Sequence, residues 1–244
     1  MNLDILVFGP HPDDAEIGAG GLLLRMKSEG ARTGIIDMTR GDMGWGTPEI
    51  RDAEGAEAAR ILKLDARESL DLGDCRVENN FETRCKVAQA IRKYRPRIVM
   101  APYWDLPPGR GLGHSDHMET GLAVSHGYNY AHLKKMPIEG EPHQASAIYY
   151  YFLPPGLKPT FVADVSEWAD EWRAALEVHT SQFSNPDRPR PSGMASTNFL
   201  DWFEVFARQH AFSIGARYAQ AFYSAAPLKV NNPLALVKDV VPRT

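Results

Sequence analysis

The chain has 244 residues, with 27 Lys and Arg against 31 Asp and Glu and a formal net charge of −4 at pH 7. No block of like charge departs from that balance, which excludes the basic footprint of a nucleic-acid binder and gives no Lys/Arg cluster for an anionic membrane. Nothing approaches the ~20 apolar residues of a spanning helix, and Met1 leads into a strand pattern without a basic region and cleavage site, so a cytoplasmic protein with no membrane partner is expected.

Without a composition break, residues 1–244 are expected to form a single domain around one large core. Residues 4–8 are an apolar run ending at Gly-Pro, and residues 15–28 carry a helical apolar set, giving strand, turn, helix. The alternation continues with strands at 33–38, 68–72 and 98–101 and helices at 48–62 and 81–94. Such order predicts an α/β fold, a mostly parallel sheet with helices on both faces. Further on, helices are expected at 116–133, 167–180 and 197–214 and strands at 148–152 and 161–165. Three stretches rich in Pro, Gly and polar residues, 105–113, 154–160 and 185–196, read as surface loops, the first and third long enough to border a site. Cys75 and Cys85 lack any Cys-x-x-Cys spacing and read as reduced, inert packing residues.

Ligands of open parallel sheets bind beyond the carboxyl ends of the strands, and His11, Asp13 and Asp14 lie just past the first one. Adjacent carboxylates repel, and a cation among them is the economical remedy. A second group, His114-Ser115-Asp116-His117, follows another predicted strand and its loop, where the topology returns the chain to the same sheet edge. Imidazole and carboxylate ligands with one place left for water suit a catalytic zinc ion. Helix capping is the competing explanation: Asp13 or Asp14 could cap one helix and Ser115 or Asp116 another. Capping accounts for one carboxylate per helix and for no histidine. Gly18, Gly20 and Gly21 come too late after the strand for a dinucleotide loop, so close helix packing is their expected use. Trp168 and Trp172, four apart, mark a packing face. At least one of Tyr149, Tyr150 and Tyr151 is expected to point outward or into a partner, and His126, His132, His143, His179 and His210 are expected to be structural or on the surface.

Pro10-His11-Pro12-Asp13-Asp14 with Glu16-Ile17-Gly18, followed by His-x-Asp-His, resembles the LmbE-like zinc-dependent N-acetylglucosaminyl deacetylases. The resemblance is strongest to the bacillithiol-biosynthesis branch, which deacetylates N-acetylglucosaminyl malate. It continues through Thr39-Arg40-Gly41-Asp42, the run from Gly46 to Arg51, the run from Ala58 to Leu62, Ala101-Pro102-Tyr103-Trp104 and the run from His179 to Phe183. The resemblance implies a Rossmann-like fold and one zinc ion per chain, held by His11, Asp14 and His117. It implies Asp13 as general base and His114 as electrostatic stabiliser or general acid, oriented by Asp116. Arg51, Asp42 and Arg110 are the implied contacts of a small amino-sugar substrate. Without the resemblance, Arg51 beside Asp52 and Glu54 would read as part of a solvated helix face.

The chain departs from that branch at Asp42 in place of Glu, Ser115 in place of Pro and Gly113 in place of Arg. These changes bear on substrate identity and leave the zinc chemistry untouched. A same-family deacetylase or amidase acting on another glucosamine conjugate, and a non-catalytic sugar- or nucleotide-binding module, are the alternatives. The apolar run of Leu228, Val230, Leu234, Leu236 and Val237 is expected to cover the protein's own core or a neighbour, which points to a homo-oligomer.

Overall fold

The computed structural model describes residues 1–106, 113–184 and 199–232, the side chains of 199–202 excepted. Arg110, most of loop 105–113, all of the predicted loop 185–196, and the apolar Leu234, Leu236 and Val237 therefore lie outside the described residues. Five strands form an all-parallel sheet in the order β3-β2-β1-β4-β5: β1 (Ile5–Gly9), β2 (Thr33–Asp37), β3 (Ala66–Ser69), β4 (Ile98–Pro102) and β5 (Ala147–Tyr151). The α/β architecture read from the sequence is the one observed.

β1 is central and wholly buried, so it reads as an unbroken apolar run rather than an alternating one. Its side chains still divide by face: Ile5 and Val7 join one core cluster, Leu6 and Phe8 the other. The first cluster takes in α1 (Asp14–Ser28) and α5 (Ala169–Glu177), the second α3 (Phe81–Tyr94) and α4 (Ser115–Tyr130). Trp172 fills the first cluster with its indole N–H donated to the Glu16 carbonyl at 2.7 Å. It lies so close to α1 that a Cβ at Gly20 would come within 2.7 Å of its ring, which is the packing use foreseen for the helix glycines. Tyr150 and Tyr151 are buried on opposite faces of β5, and Tyr149 packs against Phe161, so none of the three is turned fully outward.

Several elements differ from the sequence reading. Leu70 and Leu72 suggested that the third strand runs to 72, but β3 is a short edge strand ending at Ser69, and those leucines pack beyond its end. The helix expected over 167–180 divides into a 3-10 turn (Ser166–Trp168), α5 and the short α6 (Thr180–Phe183). The one expected over 197–214 divides into α7 (Phe199–Gln209) and a second 3-10 turn (Ala211–Ile214). β6 (Phe161–Asp164) pairs antiparallel with β7 (Ala219–Phe222), whose Ala-Gln-Ala-Phe sequence gives no strand signal of its own. α2 (Pro48–Ile61) starts as foreseen at Thr47 and Pro48, the threonine hydroxyl accepting the Ile50 N–H at 3.3 Å. Among the described residues no helix is long and apolar enough to cross a membrane.

Candidate active site

β1 has β2 on one side and β4 on the other, and the chain reverses its direction of winding between them. That reversal opens a crevice at the carboxyl ends of β1 and β4, and the two motifs of the sequence meet there. The turn after β1 is held by the end of β2, whose Met38 and Thr39 N–H groups donate to the Gly9 and Pro10 carbonyls at 2.8 and 3.1 Å. α4 brings in the second motif, and His114 itself caps it: its Nδ1 accepts the Asp116 N–H at 3.3 Å. The two carboxylates after β1 are not caps either. Asp13 occupies the N-cap position of α1 without a side-chain cap bond, at φ 131° and ψ −30°. A non-glycine residue there stores about 1–3 kcal/mol, as functional residues often do.

His11, Asp14 and His117 converge. Asp14 Oδ2 lies 3.0 Å from His11 Nδ1 and 3.2 Å from His117 Nε2, and the three ligand atoms lie within 4.8 Å of one another. A tetrahedral zinc ion with bonds of about 2.0–2.2 Å keeps nitrogen and oxygen ligands roughly 3.3–3.5 Å apart, so two imidazoles and a carboxylate with these spacings fit such an ion. His117 stacks on Phe152 with ring centroids 5.6 Å apart. The imidazoles outweigh the effect of burial on Asp14 and hold its carboxyl below the usual range, with His117 contributing most. Burial has the opposite result at Asp13: it pushes the carboxyl up to about 6, Arg51 resisting and Asp14 adding to the rise. Two neighbouring carboxyls are thus driven apart in proton affinity, the pattern of a ligand beside a base.

Asp116 sits differently from the sequence expectation. Its carboxylate Oδ2 accepts the Cys75 N–H at 2.8 Å and lies 3.3 Å from His11 Nε2, while only its backbone N–H meets His114. The Asp116 carboxylate is thus nearest to His11, and His114 meets the Asp116 backbone, although ligand atoms of His11, His114 and Asp116 also lie within 4.8 Å of one another. Arg51 is 2 % exposed, so the solvated-face reading fails. Its Nη2 donates to the Pro12 carbonyl at 2.6 Å, its Nη1 stands 3.7 Å from Asp13 Oδ2, and its Nε and Nη1 have no hydrogen-bond partner. Asp42 is exposed on the adjoining loop, its Oδ1 accepting the Asp74 N–H at 3.4 Å.

Sequence reasoning missed Asp74 and Cys75. Asp74 Oδ1 lies 3.0 Å from His11 Nε2, and Cys75 Sγ lies 3.7 Å from His114 Nε2. Both follow the carboxyl end of β3, and the strand-end rule reaches them once that strand is ended at Ser69. Cys75 is exposed, contrary to the expectation of a buried packing residue. Partial desolvation of its thiol, with the Asp74 and Asp116 charges nearby, raises its pKa, which leaves it a poor nucleophile. His179 is fully buried as expected of a structural histidine, with Nε2 3.0 Å from Glu16 Oε1.

A parallel α/β sheet whose switch point carries a His/Asp cluster able to hold a metal, with a further carboxylate beside it, is the arrangement of a metal-dependent hydrolase. Residues 6–128 match the profile of the PIG-L family, GlcNAc-PI de-N-acetylase, and the chain belongs to that family of deacetylases. It is 31% identical over 192 residues to the diacetylchitobiose deacetylase of Thermococcus kodakarensis, spanning 73% of this chain and 70% of that one. It is 26% identical to a probable N-acetyl-alpha-D-glucosaminyl L-malate deacetylase 2 of Bacillus anthracis, spanning 82% and 91%. Among solved structures, the conserved protein TT1542 from Thermus thermophilus superposes with a TM-score of 0.82 at 38% identity, covering 93% of this chain and 97% of that one.

Proposed function

We propose that the protein hydrolyses the N-acetyl group of an N-acetylglucosamine conjugate, releasing acetate and the free amine, with zinc held by His11, Asp14 and His117. The observation that carries this is the convergence of His11, Asp14 and His117 at the sheet edge, with Asp13 turned away from them toward Arg51. When bound, zinc supplies Lewis-acid polarisation of the amide carbonyl and acidifies water. Asp13 accepts the proton of the attacking water. His114 keeps its Nδ1 on the Asp116 N–H, so its proton sits on Nε2, and that N–H, 3.7 Å from Cys75 Sγ, donates to the oxyanion that develops at the carbonyl. The proton on Asp13 then passes to the departing nitrogen. Arg51, buried with two unpaired donors, binds hydroxyls of the sugar.

The group attached to the sugar is a second neutral ring, as in diacetylchitobiose. A malate group brings two carboxylates, and burying them takes fixed cations, best supplied by arginine forks. Among the described residues near the site, Arg51 donates to Pro12 and faces Asp13, Arg40 is paired with Asp52, and Arg76 beside Cys75 is exposed rather than fixed in a buried site. The second reading is the malate conjugate of bacillithiol biosynthesis, supported by the likeness to the Bacillus anthracis protein and served by Arg110. The test compares kcat/KM for diacetylchitobiose, N-acetylglucosamine and N-acetylglucosaminyl malate in wild type and Arg110→Ala. Preference for the disaccharide, with little change in the variant, is expected. Preference for the malate conjugate, with KM rising about 10- to 150-fold in Arg110→Ala, moves the assignment to the second reading. Acetate release from none of the three removes the proposal.

A further inference from the structure

Asp74 is a buried carboxylate that the proposed reaction leaves without a task, and it joins two parts of the site. Its Oδ1 lies 3.0 Å from His11 Nε2, and its Oδ2 accepts the Met43 N–H at 2.8 Å. His11 reaches Asp14, its fellow ligand in the proposed site, through Nδ1, so Nε2 is the nitrogen left to be oriented. A ligating imidazole needs an acceptor for its other N–H, which fixes tautomer and ring plane and makes the ligand more basic. Two carboxylates are within reach. Asp116 is the more distant, at 3.3 Å, and the same oxygen of Asp116 already takes the Cys75 N–H at 2.8 Å. Asp74 is nearer, and its other oxygen is spent on the rim of the site rather than on a second ring.

That rim is the segment 41–47 between β2 and α2. Gly41 lies against the Arg51 guanidinium, where a Cβ would come within 2.8 Å of Nη2. The far end is fixed by α6: Gln182 Nε2 donates to the Trp45 carbonyl at 2.5 Å. Met43, between these anchors, is tied to the site by its bond to Asp74. The substrate-side loop and the metal-side histidine are thus attached to opposite oxygens of one carboxylate.

We infer that Asp74 is a positioning residue which orients His11 for the metal and, through Met43, couples metal occupancy to the placement of the substrate rim. The inference rests on the reading of His11 as a zinc ligand and is independent of which conjugate is hydrolysed. It requires reciprocity: whatever metal binding contributes to ordering the rim, a sugar bound against the rim contributes equally to metal affinity.

The experiment measures zinc affinity by competition with a chelator, and the visible spectrum of the cobalt-substituted protein, in wild type, Asp74→Ala and Asp74→Asn. Removing an outer partner of this kind weakens metal binding about 10- to 100-fold, and that loss is expected in Asp74→Ala, together with a shifted cobalt spectrum. Asp74→Asn, which still offers an oxygen to His11 Nε2–H, is expected to recover part of it. Adding N-acetylglucosamine should tighten zinc binding in wild type and have no such effect in Asp74→Ala. A purely structural role would lower the melting temperature of the metal-free variants without moving the cobalt spectrum. Zinc affinity within twofold of wild type in Asp74→Ala, with an unchanged cobalt spectrum, overturns the inference. Wild-type protein that binds zinc tightly but releases no acetate would sink the proposed function and leave this one standing.

Discussion

Asp13 and Asp14 are adjacent in sequence, and the fold gives them opposite work. Asp14 points into the imidazoles, where its charge is matched on two sides. Asp13 turns away at φ 131° toward Arg51, half-buried, and desolvation pushes its carboxyl up to about 6. This separation predicts separable losses. Asp14→Asn should release zinc and, with it, activity, whereas Asp13→Asn should keep zinc at one equivalent and lower kcat by about 10² to 10⁴, the range of a lost general base. Metal analysis of the purified variants beside their acetate-release rates decides it. An Asp13→Asn protein without metal beside an Asp14→Asn protein that retains it would reverse the two assignments. The pair itself is legible as a motif; its division of labour is legible only through the family resemblance, because the backbone angle that turns Asp13 away has no signature in the residue types.

Between elements, the sheet edge is fastened by a buried ion cluster that the periodicity of the chain conceals. Arg67 on β3 donates to Glu16 of α1 at 2.6 Å and to both oxygens of Asp37 at the end of β2, at 2.8 and 3.1 Å, while His179 ahead of α6 closes on Glu16. One step further, Glu54 on α2 accepts the Ser181 N–H and hydroxyl at 2.7 and 2.6 Å, so the run from His179 to Gln182 fastens α1, α2 and the rim loop together. In the sequence these residues look like ordinary surface charges, and for the same reason the apolar pattern puts the strand that carries Arg67 too late in the chain. Burial by itself would raise the Glu16 carboxyl, but Arg67 and His179 outweigh it and hold it at about 2. A native value below the unfolded one means stabilisation that is complete above the ordinary Glu range, near ~4.3, and lost as the pH falls toward 2. Asp37 shifts upward through burial, against Arg67 and with the Glu16 charge, and so contributes with the opposite sign. The melting temperature of Glu16→Gln should therefore lie well below wild type at neutral pH, and the gap should close between about pH 5 and pH 2. A gap constant over that interval would show that Glu16 acts through packing and not through its charge.

For the molecule as a whole, strand order decides what the sequence could disclose. The alternation of strands and helices is local, so the parallel sheet and the meeting of the two motifs at one edge are legible in residue order alone. Asp74 and the Asp116–His11 contact depend on side-chain direction across three strands, and β7 depends on pairing with β6; no local pattern encodes either. The C-terminal part is where the reading had least support. Leu228 and Val230 are 39% and 43% exposed, so the described part of that apolar segment does not cover the protein's own core. Val205 on α7 and Phe212 in the following 3-10 turn are 71% and 94% exposed. A large aromatic side chain left almost wholly in water costs about 1.5–3 kcal/mol relative to burial, which a second copy can recover. Self-association through this end of the chain is accordingly predicted: light scattering should give a mass that is a multiple of 27.2 kDa, and Phe212→Glu should lower it without disturbing zinc content. A wild-type mass of one chain at working concentration would remove the prediction, and a variant that keeps the full assembly would place the interface elsewhere.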